Sequence, residues 1–348
     1  MHKASLIVAT LGERPDDLRV LLQSLAPQVE FISEVIIVDQ NFDHDRIPDL
    51  LCEFRGALPV RYTRSERGLS RARNHGLTLV TGDIVAFPDD DCVYSDGLLE
   101  WVINWFASNI EYDILAVGVK DAAGVPSGNR WSQPSCEIRS LNAFRTTFSS
   151  SLFLCADLAK SARFDVQLGV GSGTPFGSGE ETDYVLRLLR TPARGRFDRT
   201  RYVIHPRRDM LSGSASAARA QAYGFGMGHV LHRNSFGSLW MSFIAYNLGR
   251  AAFVLSRGNL KSAQLCIAQT KGLWHGFLTP VPAPAPTHPE LRIVPHRVIA
   301  AATEPQLAKL RHSRSGPQPD RPQLTALDST GFRATDELTK TYVGNSLN

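Results

Sequence analysis

Val85-Ala86-Phe87-Pro88 runs straight into Asp89-Asp90-Asp91-Cys92, an apolar run that ends in three consecutive carboxylates. Adjacent acids repel, and each is costly to desolvate alone. A divalent cation with oxygen ligands, Mg²⁺ or Mn²⁺, would hold them together and keep positions open for a substrate's phosphates. The plainer alternative is a solvated acidic turn ahead of a helix starting near Ser95 and Asp96. A second acidic run, Glu180-Glu181-Thr182-Asp183, follows the glycine-rich stretch 169–179 and opens a helix through Leu186, Leu188 and Leu189. A carboxylate there could serve as a general base, or the acids could simply complement the helix dipole.

The elements that must position these acids follow from apolar runs and their breakers. Residues 4–10 read as a strand closed by Gly12 and Pro15. Pro15, Asp16 and Asp17 suit a helix's first turn, with Leu18, Leu21, Leu22 and Leu25 as its stripe. Residues 34–39 read as a strand ending in Asp39, 47–54 as a short helix, 60–64 as a strand and 67–76 as a helix. Then 84–88 is the strand into the acids, 98–106 a helix and 114–120 a strand. Residues 121–145 are loop-rich, 147–154 read as a strand, and 202–204 as a strand leading into His205-Pro206-Arg207-Arg208. The alternation predicts an α/β fold with a Rossmann-like, mostly parallel sheet covered by helices on both faces. Ligands of such sheets bind outside the carboxyl ends of the strands, where Thr10, Asp39 and Asp89, Asp90 and Asp91 fall.

The 348 residues, 43% hydrophobic and 21% charged, allow one large α/β domain plus an accessory region. Cys52, Cys92, Cys136, Cys155 and Cys266 are scattered without a C-x-x-C pair, which argues against a disulfide framework or structural zinc and fits a reducing compartment. The first apolar run is too short for a signal peptide, so a cytoplasmic protein is expected. The net charge of +4 hides an asymmetry: Arg187 to Lys271 holds 14 Lys or Arg against Asp198 and Asp209. That patch calls for an anionic partner, a phosphate-bearing substrate or an anionic membrane surface; no nucleic-acid-binding signature is present.

Joined to Arg67-Gly68-Leu69-Ser70-x-Ala72-Arg73-Asn74, the two acidic runs resemble those of family 2 glycosyltransferases, inverting enzymes of GT-A fold. The resemblance implies that Thr10, Glu13 and Asp39 hold the nucleotide. Arg73 and Asn74 match the family's Arg-Asn pair, the guanidinium being suited to bidentate contact with phosphate or carboxylate. Asp89-Asp90-Asp91 resembles the family's DXD motif. Asp91 and Asp89 are then implied metal ligands, with His205 as a further one, while Asp89 or Asp90 meets the donor's ribose or sugar. A metal bound there stabilises charge on the leaving nucleoside diphosphate. Arg207 and Arg208 are alternative phosphate partners. The second run resembles the motif whose Asp is the catalytic base; by position that is Glu181. Because Glu is a methylene longer, Glu180 and Asp183 remain candidates. A helix start would keep such an acid's pKa low, and the glycine-rich loop would let the chain move over the donor.

The expected organisation is a catalytic domain over 1–212, with a nucleotide-sugar half (1–120) and an acceptor half (121–212). A basic amphipathic helical region (213–279) and a Pro-rich linker with a largely disordered tail (280–348) follow. Trp240, Phe243, Ile244, Leu248, Ala251 and Leu255 recur at helical spacing, interrupted by Asn247 and Arg250. The run is short of the about 20 apolar residues of a membrane span. It suits an interfacial helix flanked by Arg257, Lys261 and Lys271 on an anionic membrane, or a cover over the catalytic core. The function implied is a bacterial hexosyltransferase that moves a sugar from a nucleotide sugar, a UDP-sugar foremost, to a lipid-linked glycan in exopolysaccharide or surface polysaccharide synthesis, peripheral on the inner membrane face. A sugar-phosphate nucleotidyltransferase would want a second glycine and a Lys in Leu11-Gly12-Glu13-Arg14-Pro15. A dinucleotide dehydrogenase would want G-x-G-x-x-G, which is absent. A nucleotide- or glycan-binding module with a degenerate site is the non-enzymatic rival, with Glu at position 181 as its hint.

Overall fold

The computed structural model describes residues 2–126, 134–206, 216–280 and 297–298. Its strands are β1 (Ala4–Thr10), β2 (Ile32–Asp39), β3 (Val60–Arg64), β4 (Ile84–Ala86), β5 (Val93–Tyr94), β6 (Ile114–Lys120), β7 (Cys136–Ile138), β8 (Leu152–Cys155), β9 (Gly195–Ile204) and β10 (Arg297–Val298). Its helices are α1 (Pro15–Leu25), α2 (Arg46–Leu51), α3 (Leu69–Leu77), α4 (Leu98–Ser108), α5 (Ala143–Thr146), α6 (Ala156–Ser161), α7 (Glu180–Leu188), α8 (Ala217–Arg233), α9 (Gly237–Ser256) and α10 (Leu260–Leu278).

The sheet order is β10-β3-β2-β1-β4-β8-β6-β9-β5, with β7 also on β9. The first four strands form the parallel block β3-β2-β1-β4 expected from the alternation. Their side chains alternate between two cores. Leu6, Val8, Val35 and Ile37 pack with α1 and α4 on one face, while Ile7, Ile36 and Val38 pack with α3 and α7 on the other. Period-2 alternation with both faces covered is why these strands read as continuous apolar runs. The chain runs outward from β1 to β3 and then returns to the far side of β1 as β4, so the order reverses beside β1. The crevice at that reversal lies at the strands' carboxyl ends, where Thr10 and the three aspartates stand.

Antiparallel pairing begins at β8, which joins β4 to β6. Residues 147–154 are not one strand, as the sequence suggests. Ser149, Ser150 and Ser151 form a 3₁₀ turn and only Leu152–Cys155 is extended. The Thr147 hydroxyl donates to the Ala143 carbonyl at 2.8 Å, the local competition that hydroxyl residues offer to a ladder. The two-residue β10 pairs with the β3 edge inside what was expected to be a linker and tail. The rest of that segment, 281–296 and 299–348, lies outside the described residues, as do Arg207 and Arg208.

The helical region shares a core with the sheet: Val230, Leu231, Trp240, Phe243, Ile244 and Leu273 join the α3–α7 side. α8 and α10 meet backbone to backbone. A Cβ at Gly224 would lie 2.1 Å from the Gln269 carbonyl oxygen, and one at Gly276 would lie 2.0 Å from that of Phe225. Glycines on both helices permit this approach. No described helix is long and apolar enough to cross a membrane.

Candidate active site

Each acid of the first run is held by a different element. The Thr10 hydroxyl, at the end of β1, donates to Asp90 at 2.7 Å. Arg14, at the entry to α1, donates to both Asp90 and Asp91. Burial foremost pushes the Asp90 carboxyl up to about 6, against the opposing pull of Arg14 and Thr10. His205 arrives through strand pairing. β5 follows the triplet directly and pairs antiparallel with the end of β9, Val93 opposite Ile204, so the next residue along β9 falls beside the acids. Its Nε2 lies 3.3 Å from Asp91 and 3.6 Å from Asp89. Its Nδ1 lies 2.9 Å from the Pro206 carbonyl oxygen. A carbonyl only accepts, so Nδ1 carries the proton and Nε2 is left to face the carboxylates. Burial works against the imidazolium, but Asp89 and Asp91 override it and raise His205 to about 9.

The donor atoms of Asp89, Asp91 and His205 all lie within 4.8 Å of one another. Two carboxylates and an imidazole make a set that suits Mn²⁺ or Mg²⁺. The cluster already gathers positive charge, from Arg14 and from the raised imidazolium, which is what a cation site does when protein groups alone balance it. These residues fit a divalent cation.

The nucleotide candidates divide. Asp39 ends β2 fully buried, opposite Thr10 on one side and Arg64 on the other. Its carboxylate accepts from the Asn41 amide and the Tyr62 hydroxyl, each at 3.0 Å. Burial raises it above the ordinary carboxylate range. Glu13 stands on the surface, 4.0 Å from Arg67, outside the crevice contacts. Asn74 is turned away from the crevice. Its amide group bonds the Phe164 backbone in both directions, at 2.8 and 2.7 Å, and pins the 162–168 turn to α3.

Arg73 joins the two acidic runs. Buried on α3 with 2% of its side chain exposed, it reaches Asp89 and Glu180, each at 3.3 Å, and lies over the Phe164 ring. The loop before Glu180 is seated on α3: Ser70 donates to the Leu168 carbonyl at 2.8 Å, and the Leu69 amide to that of Val170 at 3.1 Å. Behind it stands α8, where a Cβ at Gly226 would lie 2.1 Å from the Ser178 carbonyl oxygen. Gly179 takes a left-handed φ of +91° to start α7. This loop, expected to move over the donor, is tied at both ends.

The acids of the second run have separate roles. Asp183, fully buried, accepts from Arg187 at 2.8 Å and Arg233 at 3.3 Å, which fastens α7 to α8. Glu180 faces Arg73. Glu181 has no basic side chain within ion-pair distance among the described residues. Burial first, and the Glu180 carboxylate next, push it up. The low pKa expected from a helix start is therefore not found, because desolvation and a like charge outweigh the dipole. Sequence reading also passed over Arg14, Tyr62 and Arg64. Arg14 had a signal in its place just beyond β1; Tyr62 and Arg64 had one in their i, i+2 spacing on a strand beside Asp39.

A family model described as "Glycosyl transferase family 2" matches residues 5–159. The "Minor teichoic acid biosynthesis protein GgaB" of Bacillus subtilis is 26% identical over 43% of this chain and 18% of its own length. The "Glucosyl-dolichyl phosphate glucuronosyltransferase" of Haloferax volcanii is 32% identical over 33% of this chain and 37% of its own. The chain thus spans less than two-fifths of either relative. The crystal structure of S. aureus TarS 1-349 in complex with UDP-GlcNAc is similar at 20% identity over 66% of each chain, with a TM-score of 0.49. The stretch that matches glycosyl transferase family 2, residues 5–159, carries β1, Asp39, Arg73 and the three aspartates.

Proposed function

We propose that the protein transfers a sugar from a nucleoside diphosphate sugar to a hydroxyl of a glycan acceptor, with inversion at the anomeric carbon. The observation that carries this reading is the meeting of the two acidic runs on buried Arg73. One run gathers a cation set and the other leaves a single carboxylate, Glu181, without a basic side chain at ion-pair distance among the described residues. Residues 1–120 act as the nucleotide-sugar half and 121–212 as the acceptor half.

Asp39 accepts N–H or O–H groups of the nucleoside; a uracil imide N–H is such a donor, which favours a UDP-sugar. Asp90 meets the ribose or the sugar. Asp89, Asp91 and His205 would hold Mg²⁺ or Mn²⁺, which when bound would supply positive charge for the departing diphosphate. Glu181 takes the acceptor hydroxyl's proton. The acceptor oxygen bonds to the anomeric carbon as the bond to the diphosphate oxygen breaks on the opposite face. A carboxylate raised by burial is the stronger base for that proton. Arg73 keeps Asp89 and Glu180 in register around the reacting centre.

The relatives' names, a teichoic acid biosynthesis protein and a glucosyl-dolichyl phosphate glucuronosyltransferase, support surface-polymer synthesis and a lipid-linked acceptor, met on the cytoplasmic side of a membrane. The test is a nucleotide-sugar panel with Mn²⁺ or Mg²⁺, reading released nucleoside diphosphate with membrane-extracted glycolipid as acceptor. Metal-dependent release with one or a few donors is expected. Nucleotide binding without release from any donor would leave a binding module instead.

A further inference from the structure

The helical region buries only four of the six residues in the apolar stripe seen in its sequence. Trp240, Phe243, Ile244 and Ala251 belong to the core. On its outer side α9 exposes Met241, Leu248, Phe253 and Leu255, and α10 exposes Ile267 and Trp274. A helix that only covers a core has a polar outer face. In α9, 20 residues long, Arg250 is the single charged residue. Exposed apolar surface on this scale marks a binding face.

Charge identifies the occupant. The sequence holds no Asp or Glu from Met210 to Pro289, yet carries Arg219, Arg233, Arg250, Arg257, Lys261 and Lys271. Arg257, Lys261 and Lys271 are exposed beside the apolar side chains, and the Arg257 guanidinium lies 4.5 Å from the centre of the Phe253 ring. A second copy of the chain would set like charge against like. An anionic bilayer surface satisfies both features, with apolar side chains at the acyl boundary and basic ones among the headgroups.

We propose that the α9–α10 face binds the surface of an anionic lipid bilayer without crossing it. α10 packs on α8 at Gly224, and α8 seats the Ser178 backbone just before α7 and Glu181 through Gly226, so docking would bring the acceptor-side machinery to the membrane. The proposal rests on the lipid-linked acceptor reading for its purpose only. Vesicle binding needs no catalysis, so the two readings fail separately.

The experiment is co-sedimentation of the full chain with phosphatidylcholine vesicles, with and without phosphatidylglycerol. Binding is expected only with phosphatidylglycerol and should weaken with added salt. Arg257→Gln/Lys261→Gln/Lys271→Gln should weaken it on the order of 100-fold. Leu248→Ser/Phe253→Ser should weaken it as well, with near-UV circular dichroism unchanged. Both variants should keep nucleoside diphosphate release from a soluble donor. Equal binding to both vesicle types, or to neither, would overturn the proposal. A concentration-dependent dimer dissolved by Leu248→Ser/Phe253→Ser would instead assign the face to a second copy.

Discussion

The two acidic runs look alike in sequence and are used in opposite ways. In Asp89-Asp90-Asp91 every carboxylate faces a cationic or hydroxyl group: Arg73 and His205 for Asp89, Thr10 and Arg14 for Asp90, Arg14 and His205 for Asp91. In Glu180-Glu181-Thr182-Asp183 the outer acids are bound to arginines and the middle one is not. A run that must hold a cation collects convergent partners. A run that must supply a base isolates one member, and burial then raises that member's proton affinity. Arg73 touches both runs, so it is the element through which they share one geometry.

The largest effect should come from the isolated carboxylate. Glu181→Gln is expected to lower kcat about a thousand-fold with nucleotide binding retained, measured by single-turnover sugar transfer. Asp91→Ala should lose transfer together with Mn²⁺ affinity, which calorimetry with the metal alone would show. Asp183→Asn breaks the comparison from the other side. It strips buried Arg187 and Arg233 contacts and should cost about 3 kcal/mol of stability in urea unfolding, while the folded fraction keeps its kcat. Gly226→Ala forces the Ser178 backbone away from α8 and should cost about 1–3 kcal/mol and lower kcat as well. Gly249→Ala is its control, since no atom lies within 4 Å of the added methyl on α9; it should add about 0.5–1 kcal/mol without touching kcat.

The smallest effect concerns Asp39. Its folded pKa lies above the unfolded value, so the native state binds more protons and loses stability as pH rises from the unfolded pKa through the folded one. Asp39→Asn removes that loss. Urea midpoints of wild type and variant should diverge in the variant's favour as pH rises above about 4, while nucleotide affinity falls. Parallel midpoints would show that Asp39 ionises at no cost.

What was legible in the sequence was what local pattern encodes. Val35-Ile36-Ile37-Val38 and Ile84-Val85-Ala86 could only be doubly covered strands, and acids at their carboxyl ends had to face the crevice. Asn74 and Asp183 were not legible as scaffold, because their partners come from far along the chain: Phe164 is 90 residues from Asn74, and Arg233 is 50 from Asp183. The stripe on α9 reads as one face in sequence, although Trp240 is buried and Leu248 exposed; helical spacing admits both a core side and an outer side when nearly every residue is apolar. Glycines 224, 226 and 228 are visible as small residues, but only the α10 backbone at Gln269, Leu273 and Phe277 and the Ser178 backbone explain them.

The measurement that bears most directly on the central claim sets Glu180→Gln, Glu181→Gln and Asp183→Asn side by side, reading UDP affinity with Mn²⁺, unfolding midpoint and single-turnover sugar transfer. Glu181→Gln alone is expected to keep affinity and midpoint while losing transfer, and Asp183→Asn to lose midpoint while its folded fraction still transfers. Wild-type transfer by Glu181→Gln, or an inactive Asp183→Asn with an unchanged midpoint, would contradict this and move the base to another carboxylate.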